Sequence, residues 1–450
     1  MASTIDMSKH FTFKDLLVYT APSMAMMLFT SIYVIVDGFF VSNFAGKTAF
    51  AAVNLIMPFI TILGTVGFMV GTGGGALVAQ ARGEGDAKKA NRWFSLIVWF
   101  ALISGIVLAI FGALLMEPVT YLFGADDAMV SDCVLYGRVS MISLPFYILQ
   151  FAFQSLFNTA GKPGLGFGVT VASGLMNIVL DFVLVGFLGM GVLGAAAATV
   201  CSELVGGIVP LVYFLAPNSS YLRLGRCALN WHVIAKTCIN GSSEMMTNIA
   251  MSVVGILYNL QLMSLLGEDG VSAYGVIMYV AWIFGAVLMG YTVGAAPLMS
   301  YQHGASNNVE KRSLFRKSLL IMVVGGIIAC ILAQIFIPAM TWAYTGYDQG
   351  LYELTVHAFR IYVLSFCLMG FSIYASSLFT ALGNGGVSAF ISFMRTLVFE
   401  CASVMLLPML FGAEGIWYSV VVAEVAACIL AAICIRYLGG FYGLFKETQN

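Results

Sequence analysis

The sequence is short of charge: Asp, Glu, Lys and Arg together make up 9% of its 450 residues, whereas an ordinary soluble domain carries roughly 25%. That shortage excludes a water-soluble globular protein of this length. The formal net charge of −1 offers no basic surface, so no nucleic-acid partner is implied. Nine cysteines form an odd set with no CxxC pair or metal-ligand spacing. Cys201, Cys330, Cys367, Cys401 and Cys428 fall inside apolar runs and read as small packing residues. The four histidines, His10, His232, His303 and His357, stand apart, with no HExxH and no nucleophile beside them. No GxxxxGK[ST] occurs, so the chain has no ATP site of its own. "GTGGGA", Gly71 to Ala76, matches GxGxxA, but it follows a long apolar segment and not a strand, so it reads as a close-packing stretch. These absences exclude an enzyme with a recognisable catalytic centre or cofactor.

What fills the sequence is apolar: 60% hydrophobic residues and a mean hydropathy of +0.96. About 20 apolar residues cross a bilayer as a helix, and the runs are continuous instead of alternating, which selects helices over a β-barrel. The expected fold class is all-α integral membrane, with twelve spans at 14–45, 51–80, 92–117, 131–160, 165–189, 191–216, 233–266, 271–302, 312–344, 353–382, 386–411 and 413–438. The first is too long for a signal-peptide core and follows the polar "MASTIDMSKHFTFKD", so it is expected to be retained. One set of loops and ends holds sixteen basic residues, including Arg82, Lys88, Lys89, Arg92, Arg223, Arg226, Arg312 and Lys446; the opposite set has Lys47, Arg138 and Arg360, and is acidic at residues such as Asp126 and Glu414. By the positive-inside rule both termini are expected in the cytoplasm.

The chain echoes itself. "SLFNTAG" at 155–161 returns as "SLFTALG" at 377–383, Gln80 returns as Gln302, and "GAAAATVCSE" from Gly194 answers "GIWYSVVVAE" from Gly415. The reading is a duplicated six-helix unit: a first lobe over 1–215, a cytoplasmic linker over 216–231 and a second lobe over 232–450. Six helices per unit place both units the same way up, about an axis along the membrane normal and a central cleft.

Six acids lie deep within the predicted spans, away from their ends: Asp37, Asp181, Glu203, Glu244, Glu400 and Glu424. A charge at mid-bilayer costs about 2.5–3.5 kcal/mol on insertion scales, so each needs a partner, a proton or water. Glu203 and Glu424 are repeat equivalents, open to a structural or a functional reading. Asp37 is matched by Asn259 and Asp181 by Ser403, so these two carboxylates are peculiar to the first lobe. In "GLMNIVLDFVLV", Asn177 and Asp181 are four apart and share a helix face. Carboxylate and amide oxygens are hard ligands suited to H⁺ or Na⁺; the competing reading is an interhelical hydrogen bond. Glu244, near the start of the seventh span, would hold a cationic substrate or a second ion at a cavity wall, or complement a helix dipole. Arg395 and Glu400, on one helix, would neutralise each other, although five residues apart they are not well placed on one face. Twenty-five methionines suit either an adaptable cavity or lipid-facing filler.

With these residues in view, the chain resembles a bacterial multidrug and toxic compound extrusion (MATE) transporter, within the multidrug, oligosaccharidyl-lipid and polysaccharide exporter superfamily. The resemblance rests on "APS…VDGFFVS", "QARGEGDAKKA" and "LFNTAGKP…NIVLDFVLV…G". It implies a secondary antiporter that exports organic, mainly cationic, compounds in exchange for H⁺ or Na⁺, without a cofactor and as a monomer in the bacterial inner membrane, both termini cytoplasmic. It also implies a first-lobe cation site of Asp37, Asn177, Asp181 and Thr199, a bend of the first helix at Pro22, and a second-lobe acid at Glu244. The stretch "AFRIYVLSFCLMGFSIYASSLFTALG" of the tenth span carries no carboxylate, a departure from one branch of the family. A lipid-linked precursor flippase of the same superfamily is the alternative, although nearly all basic residues lie in loops and not in the spans. A channel or membrane-embedded enzyme is a more distant one.

Overall fold

The computed structural model describes residues 6–45, 47–125 and 127–445. Asp126 and Lys446, counted above among the loop charges, lie outside the described residues, as does the side chain of Lys47. In lipid, backbone N–H and C=O groups have only one another to bond. Among the described residues the chain accordingly forms helices and no strand.

In the first half these are α1 (Phe13–Phe40, prolonged by a π-helical turn over Val41–Ala45), α2 (Lys47–Gly83), α3 (Ala87–Leu122), α4 (Asp127–Thr159), α5 (Pro163–Leu180, prolonged by π-helical turns over Asp181–Phe187) and α6 (Gly191–Leu215). The next helical stretch, Trp231–Gly304, runs for 74 residues but breaks at Gly267, where φ is 65° and ψ −150°. That backbone is open to glycine and closed to most other residues. Two helices result, α7 (231–266) and α8 (268–304). They are followed by α9 (Asn308–Thr345), α10 (Gln349–Ala381), α11 (Gly385–Phe411, with a π-helical segment over Met394–Phe399) and α12 (Ala413–Leu438). The twelve predicted spans each find a helix. Several run longer than the apolar windows because they are capped beyond them: Asp86 accepts from the Lys89 N–H at the start of α3, and Asn307 does the same for Glu310 at the start of α9. These caps stand at equivalent places in the repeat.

Each lobe has its own core. In the first, Phe94, Phe153, Phe157 and Phe214 cluster, with Phe153 and Phe214 stacked at 5.6 Å. In the second, Tyr258, Tyr274, Phe359 and Trp417 are buried together. The start of the chain crosses over: Met7, Phe11, Leu16 and Tyr19 pack with residues of α8, α9 and α10.

Among the described residues, the side-chain hydrogen bonds between lobes all lie at the end that carries the basic loops. Gln80 Nε2 donates to the Ala381 carbonyl at 2.9 Å, Asn240 Nδ2 to that of Gly73 at 3.3 Å, and Gln302 Nε2 to that of Met7 at 2.8 Å. Glu310 accepts from the Phe11 N–H at 3.0 Å and lies 2.6 Å from His10 Nδ1. The "GTGGGA" stretch sits at this seal. A Cβ at Gly73 would collide with backbone of Thr237 and Gly241, and one at Gly241 with backbone of Met69. Glycine is needed there because two helices from different lobes touch backbone to backbone.

Candidate functional site

Four helices of the first lobe converge on a polar pocket. The α1 helix brings Tyr33 and Asp37, α4 brings Tyr136, with Gln150 further along it within hydrogen-bonding reach of Tyr33, α5 brings Asn177 and Asp181, and α6 brings Thr199 and Glu203. A close crossing of α5 over α1 makes the approach possible: Gly174 faces the rings of Phe29 and Tyr33, with no room for a side chain of its own. The α5 and α6 helices are pinned together by a reciprocal pair, Ser173 Oγ to the Ser202 carbonyl at 2.8 Å and Ser202 Oγ to the Ser173 carbonyl at 2.9 Å.

The carboxyl groups of Asp37 and Asp181 lie within hydrogen-bonding reach of each other. Asp181 is fully buried and Asn177 is 3% exposed. Yet Asp37 Oδ1, Asn177 Oδ1, both carboxyl oxygens of Asp181 and Gln150 Oε1 are buried with no hydrogen-bond partner. Buried polar groups are satisfied in the great majority of cases, and each orphan costs about 1–3 kcal/mol. The four of these oxygens on Asp37, Asn177 and Asp181 stand close together and define a place for a positive charge. Two ionised carboxylates in contact repel, and a proton or cation between them removes the repulsion.

The π-helical turns belong to the same geometry. The winding of α5 widens at Asp181, and that of α1 widens at Val41, whose N–H bonds to the carbonyls of both Asp37 and Gly38. Insertions of this kind recur at functional sites, where they turn a side chain out of register.

The structure brings Asp37, Asn177 and Asp181 together. Thr199 joins through an intermediary: its hydroxyl is within hydrogen-bonding reach of Tyr136, whose phenol interacts electrostatically with both carboxyls. Tyr136 and Gln150 were not foreseen from the sequence. A signal existed in "QFAFQSLFN", where Gln150, Gln154 and Asn158 recur every four residues along one face of an apolar helix. Asn158 serves as an anchor for α1: its carbonyl accepts from Tyr19 Oη at 2.8 Å and its Oδ1 from Ser23 Oγ at 2.7 Å. Pro22 stands between these two anchored residues, inside an α1 that remains helical through it. Glu203 lies within hydrogen-bonding reach of Ser143.

The second lobe is arranged differently. Glu244 lines a pocket between the lobes with Thr72, Ser155, Thr292, Ser377 and Thr380, one turn above the Asn240 contact of the seal. The expected pairing of Arg395 with Glu400 is not found. Arg395 instead reaches across to α12, with Nε 2.8 Å and Nη2 2.7 Å from Glu424 Oε1. Glu400 lies about a turn further along the same helix, but the neighbouring helix α12 offers a carboxylate within bonding distance and Arg395 takes that one.

Helices long and apolar enough to cross a membrane, in two halves that each bury a core of their own, define a multi-pass membrane protein. Two stretches, residues 22–183 and 245–404, match the MatE family model. The chain belongs to the MatE family. It is 24% identical over 437 residues, 96% of this chain and 94% of the relative, to the multidrug export protein MepA of Staphylococcus saprophyticus. Its fold is shared with a crystal structure described as MATE in complex with MaL6, at a TM-score of 0.91 and 20% identity, covering 96% of this chain and 98% of the other. A transporter of the MOP superfamily from Pyrococcus furiosus, described as having a binding pocket of reverse polarity that suggests a different function, matches at a TM-score of 0.91 and 20% identity over 98% and 99% of the two chains.

Proposed function

We propose that this protein is a secondary antiporter that exports organic, mainly cationic, compounds in exchange for H⁺ or Na⁺ taken up at the first-lobe site. The observation that carries the reading is the set of orphaned, buried oxygens on Asp37, Asn177 and Asp181, in a chain whose curated relatives are named multidrug export proteins. Asp37 and Asp181 hold the coupling ion, Asn177 supplies an amide oxygen, and Thr199 orients Tyr136 beside them. Glu244, at the base of the cleft, attracts the cationic substrate. No cofactor takes part.

Coupling follows from where α1 is tied. Its first half is fixed by Asn158 and packs on α8, while its second half carries Asp37. Pro22 removes one helix hydrogen bond at the junction, so a bend there costs little. Filling the carboxyl pair removes the repulsion between α1 and α5 and shifts the position of the second half of α1 against the cleft. The lobes are sealed at the basic-loop end, which under the positive-inside rule is the cytoplasmic side of a bacterial inner membrane, so the conformation described here faces outward. The protein works as a single chain, because both lobes and the cleft are contained in it.

The test is efflux of a fluorescent organic cation from membrane vesicles energised by a pH or sodium gradient. Asp37→Asn and Asp181→Asn are expected to abolish gradient-driven efflux while the protein remains folded in the membrane. Wild-type efflux from both variants would overturn the assignment.

A further inference from the structure

The second lobe holds buried charges with no counterpart in the first. Arg395 places both Nε and Nη2 on a single oxygen of Glu424, so Glu424 Oε2 is left without a partner although the residue is only 5% exposed. Glu400, little more than a turn beyond Arg395 on α11, interacts electrostatically with both members of the pair, and forms no ion pair with Arg395, whose partner is Glu424. Tyr258 from α7 and Tyr362 from α10 interact electrostatically with Glu400, and the Tyr258 hydroxyl is also buried without a partner. The thiols of Cys401 and Cys428 border the cluster, and Glu244 on α7 interacts with Arg395.

Counting the core of this set, two carboxylates against one guanidinium leave one negative charge inside the membrane, where an uncompensated charge is expensive. The backbone adds an independent sign. The π-helical segment Met394–Phe399 ends immediately before Glu400, and that of the repeat-equivalent helix α5 begins at Asp181. In both helices the change of winding falls at an acid deep within the span.

We propose that Glu400, together with Oε2 of Glu424, forms a second exchangeable site for one monovalent cation, H⁺ or an alkali-metal ion, and that Arg395 is the fixed charge that limits it to one. The residues lie on α11 and α12, away from Asp37 and Asp181 on α1 and α5, so this site is separate from that of the first lobe.

Proton uptake on acidification, measured by titration of the purified full chain, tests it. In the Asp37→Asn/Asp181→Asn background, Glu400→Gln is expected to lower uptake by one proton per chain, Glu400→Asp to preserve it, and Arg395→Gln to raise it by one. Sodium or potassium chloride added at constant pH releases that proton if the site also takes alkali ions, and leaves it bound if the site is reserved for H⁺. Equal uptake with and without Glu400→Gln would overturn the proposal. A failure of the first-lobe reading shows elsewhere, as equal uptake by the wild type and the Asp37→Asn/Asp181→Asn chain.

Discussion

The two lobes repeat the same six helices and treat buried charge in opposite ways. In the first, Asp37 and Asp181 face each other with three of their four oxygens buried and unsatisfied and, among the described residues, no arginine or lysine paired with them. In the second, Arg395 is bonded twice to Glu424. A fixed ion pair holds structure in place, whereas an uncompensated pair of acids stays empty until something mobile arrives. The first half thus holds an uncompensated pair of acids and the second a cluster that carries most of its own neutralising charge.

That contrast is broken most severely at Arg395. Breaking a buried ion pair strands the remaining charge and costs about 3–5 kcal/mol. Arg395→Met is therefore expected to lower the unfolding midpoint in denaturant sharply, and the added change Glu424→Met to recover most of the loss. Asp37→Asn, by comparison, removes a repulsion and is expected to leave the midpoint unchanged or higher. A large destabilisation by Asp37→Asn would show that the first-lobe pair is a structural bond after all.

A smaller effect is expected where the lobes meet. Gly241→Leu introduces bulk where α7 touches the backbone of α2 at Met69. Overpacking of this kind costs about 1–3 kcal/mol, enough to shift the balance between closed and open seals by about 5–150-fold. Spin labels placed on the two basic loops should report a longer distance in this variant. An unchanged distance distribution would remove the seal from the account.

The smallest effect sharpens the comparison inside the first lobe. Tyr136→Phe and Thr199→Val each delete one partner of the same hydroxyl pair, worth about 1 kcal/mol. Each is expected to weaken cation affinity about fivefold, and the double variant to be no worse than either alone. Additive losses would mean that Thr199 contacts the ion independently of Tyr136.

Much of this was legible in the sequence, and for definite physical reasons. The twelve helices follow from apolar runs that leave the backbone no other way to bond, and the duplication is visible in "SLFNTAG" and "SLFTALG". Asn177 and Asp181 were placed on one face by their spacing alone. What could not be read was contact between distant segments. Asp37 and Asp181 are 144 positions apart in the sequence, and nothing in either stretch states that α1 crosses α5 at Gly174. The partner of Arg395 was misjudged for the same reason: proximity along the chain favoured Glu400, while packing of α11 on α12 supplied Glu424. The π-helical turns also leave no composition signature, since they arise from how a helix accommodates its neighbours. Tyr136 is hidden by its own chemistry, because an apolar helix tolerates a tyrosine without any sign that the hydroxyl is in use.

The central claim is that a positive charge taken up between Asp37 and Asp181 is what is exchanged for substrate. Reconstitution into sealed liposomes, with ion-sensitive dyes for H⁺ and for Na⁺ inside, tests it most directly. Addition of an organic cation on one side should drive a counter-flux of one of these ions through the wild-type protein, and none through Asp181→Asn. A substrate-evoked ion flux of equal size through both proteins would contradict it.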